Sequence, residues 1–233
     1  MAGVGARLPE VYRKFYNEWR YTAPEPVHYI PEKRTWVKDE ETGEIKRVQN
    51  VPLPGIFPKE MNNVFTGGET IIQGFKKNKN KYEINVPKFW TPTLFRSVIY
   101  SEILDKYFSV ILTKRVVELV HEHKGLDNYL LKTKACDLQT LIALKLKREL
   151  LFKLHYKELP YDEEKNQSIF EKYEKYLLPI EEIEWYGLSF TEACRKQEKI
   201  EKEMNEKKIV PLKHIFRAQL IQELKAENEK RPS

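Results

Sequence analysis

Ser97-Val-Ile-Tyr-Ser-Glu-Ile-Leu104, Asp105-Lys106 and Tyr107-Phe-Ser-Val-Ile-Leu-Thr113 make up the stretch on which the fold turns. Two runs rich in β-branched and aromatic residues, parted by a polar pair, predict two strands joined by a tight turn. Alternation places Val98, Tyr100 and Glu102 on one face and Ile99 and Ile103 on the other. Both faces carry apolar side chains, so each is expected to be at least partly covered. A helix should follow from about Lys114 to Lys124, with Val116, Val117 and Val120 as its inner stripe. Lys124 would sit at the negative end of its dipole and Gly125 would stop it. A hairpin carrying one packed helix is the nucleus of an α+β fold.

Upstream lies a basic, aromatic-dotted strap: Phe75-Lys-Lys-Asn-Lys-Asn-Lys-Tyr82, then Lys88-Phe-Trp-Thr-Pro-Thr-Leu-Phe-Arg96. Between Lys76 and Arg115, nine basic residues stand against three acidic ones, a surplus of six that equals the net charge of the whole chain. From Pro160 to Glu206 the sign reverses, with seven basic residues against thirteen acidic. Such asymmetry predicts one surface for a polyanion and another for a different partner. Lys76, Lys77, Lys79 and Lys81 are the candidate phosphate contacts, because they cluster in a segment too polar for a core. A merely solvated loop would carry the same lysines. Phe89 and Trp90 could stack on unpaired bases, with Pro92 holding the turn that presents them, although Trp90 could equally pack against the hairpin. Arg96 is the stronger candidate, since its planar fork can grip a phosphate at two points.

The rest of the chain reads as arms. Val11, Phe15 and Trp19 outline a helix near the N-terminus. Prolines 24, 26, 31, 52, 54 and 58 then keep the chain extended, save for a small hairpin formed by residues 35–38 and 45–48. The paired Gly67 and Gly68 permit positive backbone angles; they suit a turn before a strand at residues 70–73 or a close approach to an RNA backbone. Leu138, Leu141, Ile142, Leu144, Leu146 and Leu150 mark a long helix, with Lys145, Lys147 and Arg148 around its outside. Further helices are predicted over residues 162–178, from Ser189 and Glu192 to about Lys207, and along Leu212, Ile215, Phe216, Leu220, Ile221 and Leu224. The expected organisation is an N-terminal helix and proline-rich arm over 1–65, a core of strap, hairpin and helix over 66–133, and a mainly helical C-terminal extension over 134–233.

Several functions find no support in the residues. Cys136 and Cys194 are 58 positions apart with no second ligand at metal spacing, and His121 and His123 point to different faces of a helix. No metal or other cofactor is expected. No run approaches the length that spans a bilayer. The acidic clusters at residues 162–164 and 181–184 sit on helix starts, where they complement the dipole. No nucleophile setting, nucleotide signature or small-molecule substrate site is apparent, so an enzyme is not expected. The first twenty residues match an import sequence only weakly and do not decide location.

Longer motifs carry a resemblance. Trp90-Thr-Pro-Thr-Leu-Phe95, Tyr100-Ser-Glu-Ile-Leu-Asp-Lys-Tyr-Phe-Ser-Val110 and Gly125-Leu-Asp-Asn-Tyr-Leu-Leu-Lys-Thr133 resemble the mitochondrial form of bacterial-type large-subunit ribosomal protein twenty-eight. Pro26-Val-His-Tyr29, Val51-Pro-Leu-Pro54, Gly67-Gly-Glu69, Glu184-Trp-Tyr-Gly-Leu188 and Val210-Pro-Leu212 extend the similarity across residues 24–223. Bacterial relatives look similar only over about Gly67 to Lys132. The resemblance implies a mitochondrial matrix location in the large ribosomal subunit. Large-subunit rRNA would meet Lys88, Phe89, Trp90, Arg96, Lys114 and Arg115, and the acidic extensions would meet neighbouring mitochondrial ribosomal proteins. It also implies no zinc, because the paired cysteines of some bacterial members are missing here. The rival reading is a non-ribosomal helical protein-protein adaptor whose lysines serve solubility, and an RNA-modifying enzyme is a more distant one.

Overall fold

The computed structural model describes residues 4–48, 53–76, 84–208 and 211–230. The chain divides into two compact units, Pro9–Ser189 and Met1–Leu8 with Phe190–Ser233. The larger unit opens with α1, Glu10–Arg20, which turns Tyr12, Phe15 and Trp19 inward. Tyr12 replaces Val11 in the expected stripe: spacings of three and four residues keep side chains on one face, whereas strict steps of four drift around the helix. The arm that follows bears a short antiparallel hairpin, β1 at Trp36–Lys38 and β2 at Ile45–Arg47, closed at Gly43 with a φ of 71°. Hydrogen bonds tie the arm to the body: the Glu25 amide donates to Asp137 Oδ1 (2.8 Å) and the Thr70 amide to His28 Nε2 (2.9 Å).

Next come β3 (Gly55–Ile56), β4 (Ile71–Lys76) and β5 (Val86–Trp90), an antiparallel sheet in the order β3-β4-β5. The strand expected over residues 70–73 is thus longer, and half of the basic strap is itself a strand. Pro87 fits within β5 because β5 is an edge strand, where a missing donor is tolerated.

The central hairpin forms from β6 (Leu94–Ser101) and β7 (Lys106–Thr113), paired from Leu94 with Thr113 to Ser101 with Lys106. The first strand therefore starts earlier than expected and stops at Ser101. Ile103 and Leu104 belong to the turn, and they are buried. Their place is fixed by Asp127, which accepts hydrogen bonds from Ser101 Oγ (2.7 Å) and the Ile103 amide (2.9 Å), while Asp105 takes the left-handed angle that closes the turn. One face of the hairpin is half-buried through Ile99, Phe108 and Val110. The other leaves Val98, Tyr107 and Ile111 exposed, so the expectation of cover on both faces fails.

The helix after it, α2, spans Lys114–Glu122 and buries Val116 fully, with Val117 and Val120 half-buried. Lys124, not Gly125, adopts the left-handed angle at its end (φ 58°), and Gly125 instead precedes the separate helix α3, Leu126–Lys132. Helix α4 (Ala135–Leu138) ends at Gln139 with φ 55°, which removes Leu138 from the long helix predicted to include it. That long helix is α5, Leu141–Tyr156, which lies against α3 and α7 (Ile180–Trp185) and buries Leu144, Leu150, Leu151 and Leu154. Each such leucine contributes about 1.5–3 kcal/mol by leaving water. Between α5 and α7 runs α6, Glu163–Tyr173, which turns Ile169 and Tyr173 inward. Rings from distant segments lock the unit: Tyr12 lies 6.1 Å from Trp185 and Phe15 lies 4.6 Å from Tyr186, centroid to centroid. Gly187, with a φ of 65°, passes so close to α5 that an added Cβ would fall 2.7 Å from the Leu144 carbonyl oxygen.

The smaller unit holds a 3-10 turn at Val4–Arg7, α8 at Phe190–Lys208 and α9 at Leu212–Lys230. Arg7 pairs with Glu201 of α8 at 3.4 Å. The apolar residues expected to form the stripe of α9, from Leu212 to Leu224, are exposed.

Candidate nucleic-acid interface

The pairing of β4 with β5 decides which candidate residues can act together. Ile72 faces Trp90, Gly74 faces Lys88 and Lys76 faces Val86. Directly opposed residues share a face in an antiparallel pair, so Lys76, Lys88 and Trp90 stand on one side of the sheet. Two contacts agree. Lys88 Nζ lies 5.2 Å from the centre of the Trp90 ring, and a Cβ added to Gly74 would fall 2.6 Å from Trp90 Cζ3. Gly74 is therefore the bed on which one side of the indole rests, and Trp90 stays 50% exposed. Trp90 thus packs on Gly74 of β4 and not on the hairpin, and the rest of its ring meets solvent and a lysine.

Phe89 points to the opposite side of the same sheet, in register with Gln73, and Phe75 shares that side in register with Pro87. Phe75 was absent from the candidates read out of the sequence. The signal was present as the alternation of Phe75 with Lys76, but it becomes visible only when the segment is read as a strand. All five residues of β5 are exposed, as are Phe75 and Lys76. Neither Lys76 nor Lys88 has an ion-pair partner among the described residues. Lys77, Lys79 and Lys81 lie outside the described residues.

The remaining candidates lie on the hairpin and α2. Arg96 is exposed on β6, on the open face that also carries Val98 and Tyr100, and it has no ion-pair partner among the described residues. Tyr100 and Tyr107 face each other there, with ring centroids 4.9 Å apart. Tyr100 donates to Asp105 (2.6 Å), which raises the pKa of its hydroxyl, and Tyr161 donates to the same carboxylate (3.0 Å). The pairing of Leu94 with Thr113 puts Lys114 and Arg96 at the same end of the hairpin. Lys114 is exposed and lies 3.8 Å from Glu118, an i,i+4 pair worth a few tenths of a kcal/mol. Arg115 differs from the others. It is half-buried, and its Nε donates to the Gly67 carbonyl (3.0 Å), clamping the Gly67-Gly68 turn against α2.

Among the described residues, no group of three His, Cys, Asp or Glu side chains is placed to hold a metal ion, and no helix is long and apolar enough to cross a membrane. Cys136 is a free, buried thiol whose pKa is raised chiefly by burial, which keeps it unreactive.

A basic, aromatic β-sheet projecting open faces from a helical body belongs to the class of surfaces that suit an extended polyanion. Comparison with known proteins narrows the class to one family. The chain is 47% identical to large ribosomal subunit protein bL28m of Drosophila melanogaster over 96% of its own length and 74% of the relative's. It is 36% identical to the bL28m protein of Xenopus laevis and 35% identical to that of Bos taurus, over 99% of this chain and 90% of each relative. No protein-family profile matches. The chain belongs to the bL28m family of mitochondrial large-subunit ribosomal proteins.

Proposed function

We propose that this chain is a structural component of the mitochondrial large ribosomal subunit in the matrix. It contacts large-subunit rRNA through the β4–β5 sheet and the start of the hairpin, and neighbouring ribosomal proteins through its extensions. Family membership supports the ribosomal part of the reading. The observation that carries the RNA contact is the sheet face on which Lys76, Lys88 and Trp90 stand together, exposed and without a neutralising carboxylate among the described residues. Arg96 and Lys114 extend this charge onto the hairpin. Lys77, Lys79 and Lys81 add cations to the connection between the two strands. Each phosphate so neutralised releases counterions and lowers the log–log salt slope of affinity by about 0.7 for a single strand. Arg115 holds the Gly67-Gly68 turn that leads into β4. No step of catalysis is required of any residue; the protein works by occupying a place and holding RNA in it.

The acidic stretch over 160–206 repels RNA and suits basic protein neighbours. Sedimentation tests the assembly reading. Tagged chain from lysed mitochondria should co-migrate with the large subunit and leave that fraction when the RNA is digested. Migration as a free monomer would contradict it.

A further inference from the structure

The β4–β5 sheet has two open faces of different chemistry. One carries Lys76, Lys88 and Trp90; the other carries Phe75 and Phe89, which are 63% and 53% exposed. Gln73 stands opposite Phe89 and Pro87 opposite Phe75, so the two rings are diagonal neighbours across the strands, within reach of one flat ligand. Two large rings left in water on the open face of a sheet are costly unless something covers them. We propose that the sheet works as a finger inserted into RNA, in which the lysine face grips phosphates and the Phe75–Phe89 face stacks on an unpaired base.

The occupant follows from charge. Among the described residues of β4 and β5 there are two cations and no carboxylate, and the connection between them is lysine-rich. A chain that meets the lysine face with its phosphates has bases within reach of the other face, and rings of this kind stack on bases without regard to sequence. Pro87 suits the arrangement. It withholds one donor from the exposed edge and so discourages a protein strand from adding there.

This inference rests on the RNA reading above and deepens it. The test uses the full chain, an unstructured RNA of roughly 12 nucleotides and a salt titration. Phe75→Ala and Phe89→Ala should each weaken binding about tenfold with the salt slope unchanged, because a stacked base releases no counterion. Lys76→Gln with Lys88→Gln should make the slope shallower by about 1.4. Unchanged affinity in both phenylalanine variants, with the lysine effect intact, overturns the stacking face and leaves the RNA reading standing; absence of both effects overturns both. A photo-crosslinking side chain at position 75, in assembled subunits, supplies the second measurement. Attachment to rRNA supports the finger, and attachment to a protein overturns it.

Discussion

At Lys147 a charged group sits where a surface residue was expected. The side chain is 7% exposed, and its Nζ donates to the carbonyls of Leu131 (3.1 Å) and Thr133 (2.7 Å), at the negative end of α3. Burial lowers its pKa to about 8, only partly opposed by the Glu18 carboxylate. Because the folded value lies below the unfolded 10.5, the unfolded chain holds the extra proton between those limits. Stability therefore rises with pH across that window, by at most about 3 kcal/mol. Urea midpoints should climb from pH 7.5 to 9.5 in the native chain, and the climb should vanish in Lys147→Met. Gly187 makes a second demand at this scale. A Cβ there would meet both a left-handed backbone and the Leu144 carbonyl, so Gly187→Ala should cost roughly 3 kcal/mol, read as a lower urea midpoint.

Among elements, the hairpin and α3 are joined through one carboxylate. Asp127 is buried beneath the turn and satisfies both Ser101 and Ile103. Asp127→Ala would leave two buried donors unpaired and cost about 2–4 kcal/mol, whereas Asp127→Asn keeps an acceptor for the amide and should cost markedly less; thermal melts of the two variants distinguish them. The elements also show where the sequence was legible. Periodicity located α1, α2, α5, α6 and the β6–β7 hairpin, since an apolar stripe records which face an element buries; a capping-box pattern located α8, a turn-rich loop located the β1–β2 hairpin, and α9 forms although its stripe stays exposed. The stop at Gly125 is legible, but α3 and α4 are not separated from the long helix, because the break falls at Gln139, whose positive φ is one that glycine usually signals. Periodicity missed β5 because the strand is exposed on both faces, and such a strand leaves no burial pattern to read. Of the candidate site, Lys76, Lys88 and Trp90 read as RNA contacts and the structure leaves them exposed, but their shared face depends on cross-strand register, which composition does not encode.

On the scale of the whole molecule, the charge asymmetry becomes an arrangement of roles. The basic sheet and hairpin lie in the larger unit, and much of the acidic stretch lies in α6, α7 and α8. The family places such a chain in the large subunit of the mitochondrial ribosome. The most direct measurement is crosslinking in intact cells, followed by sequencing of the attached RNA and mapping of the attached peptides. Mitochondrial large-subunit rRNA joined to peptides from residues 76–115 is the predicted result. Crosslinks confined to messenger RNA, or to residues of the acidic stretch, would contradict it.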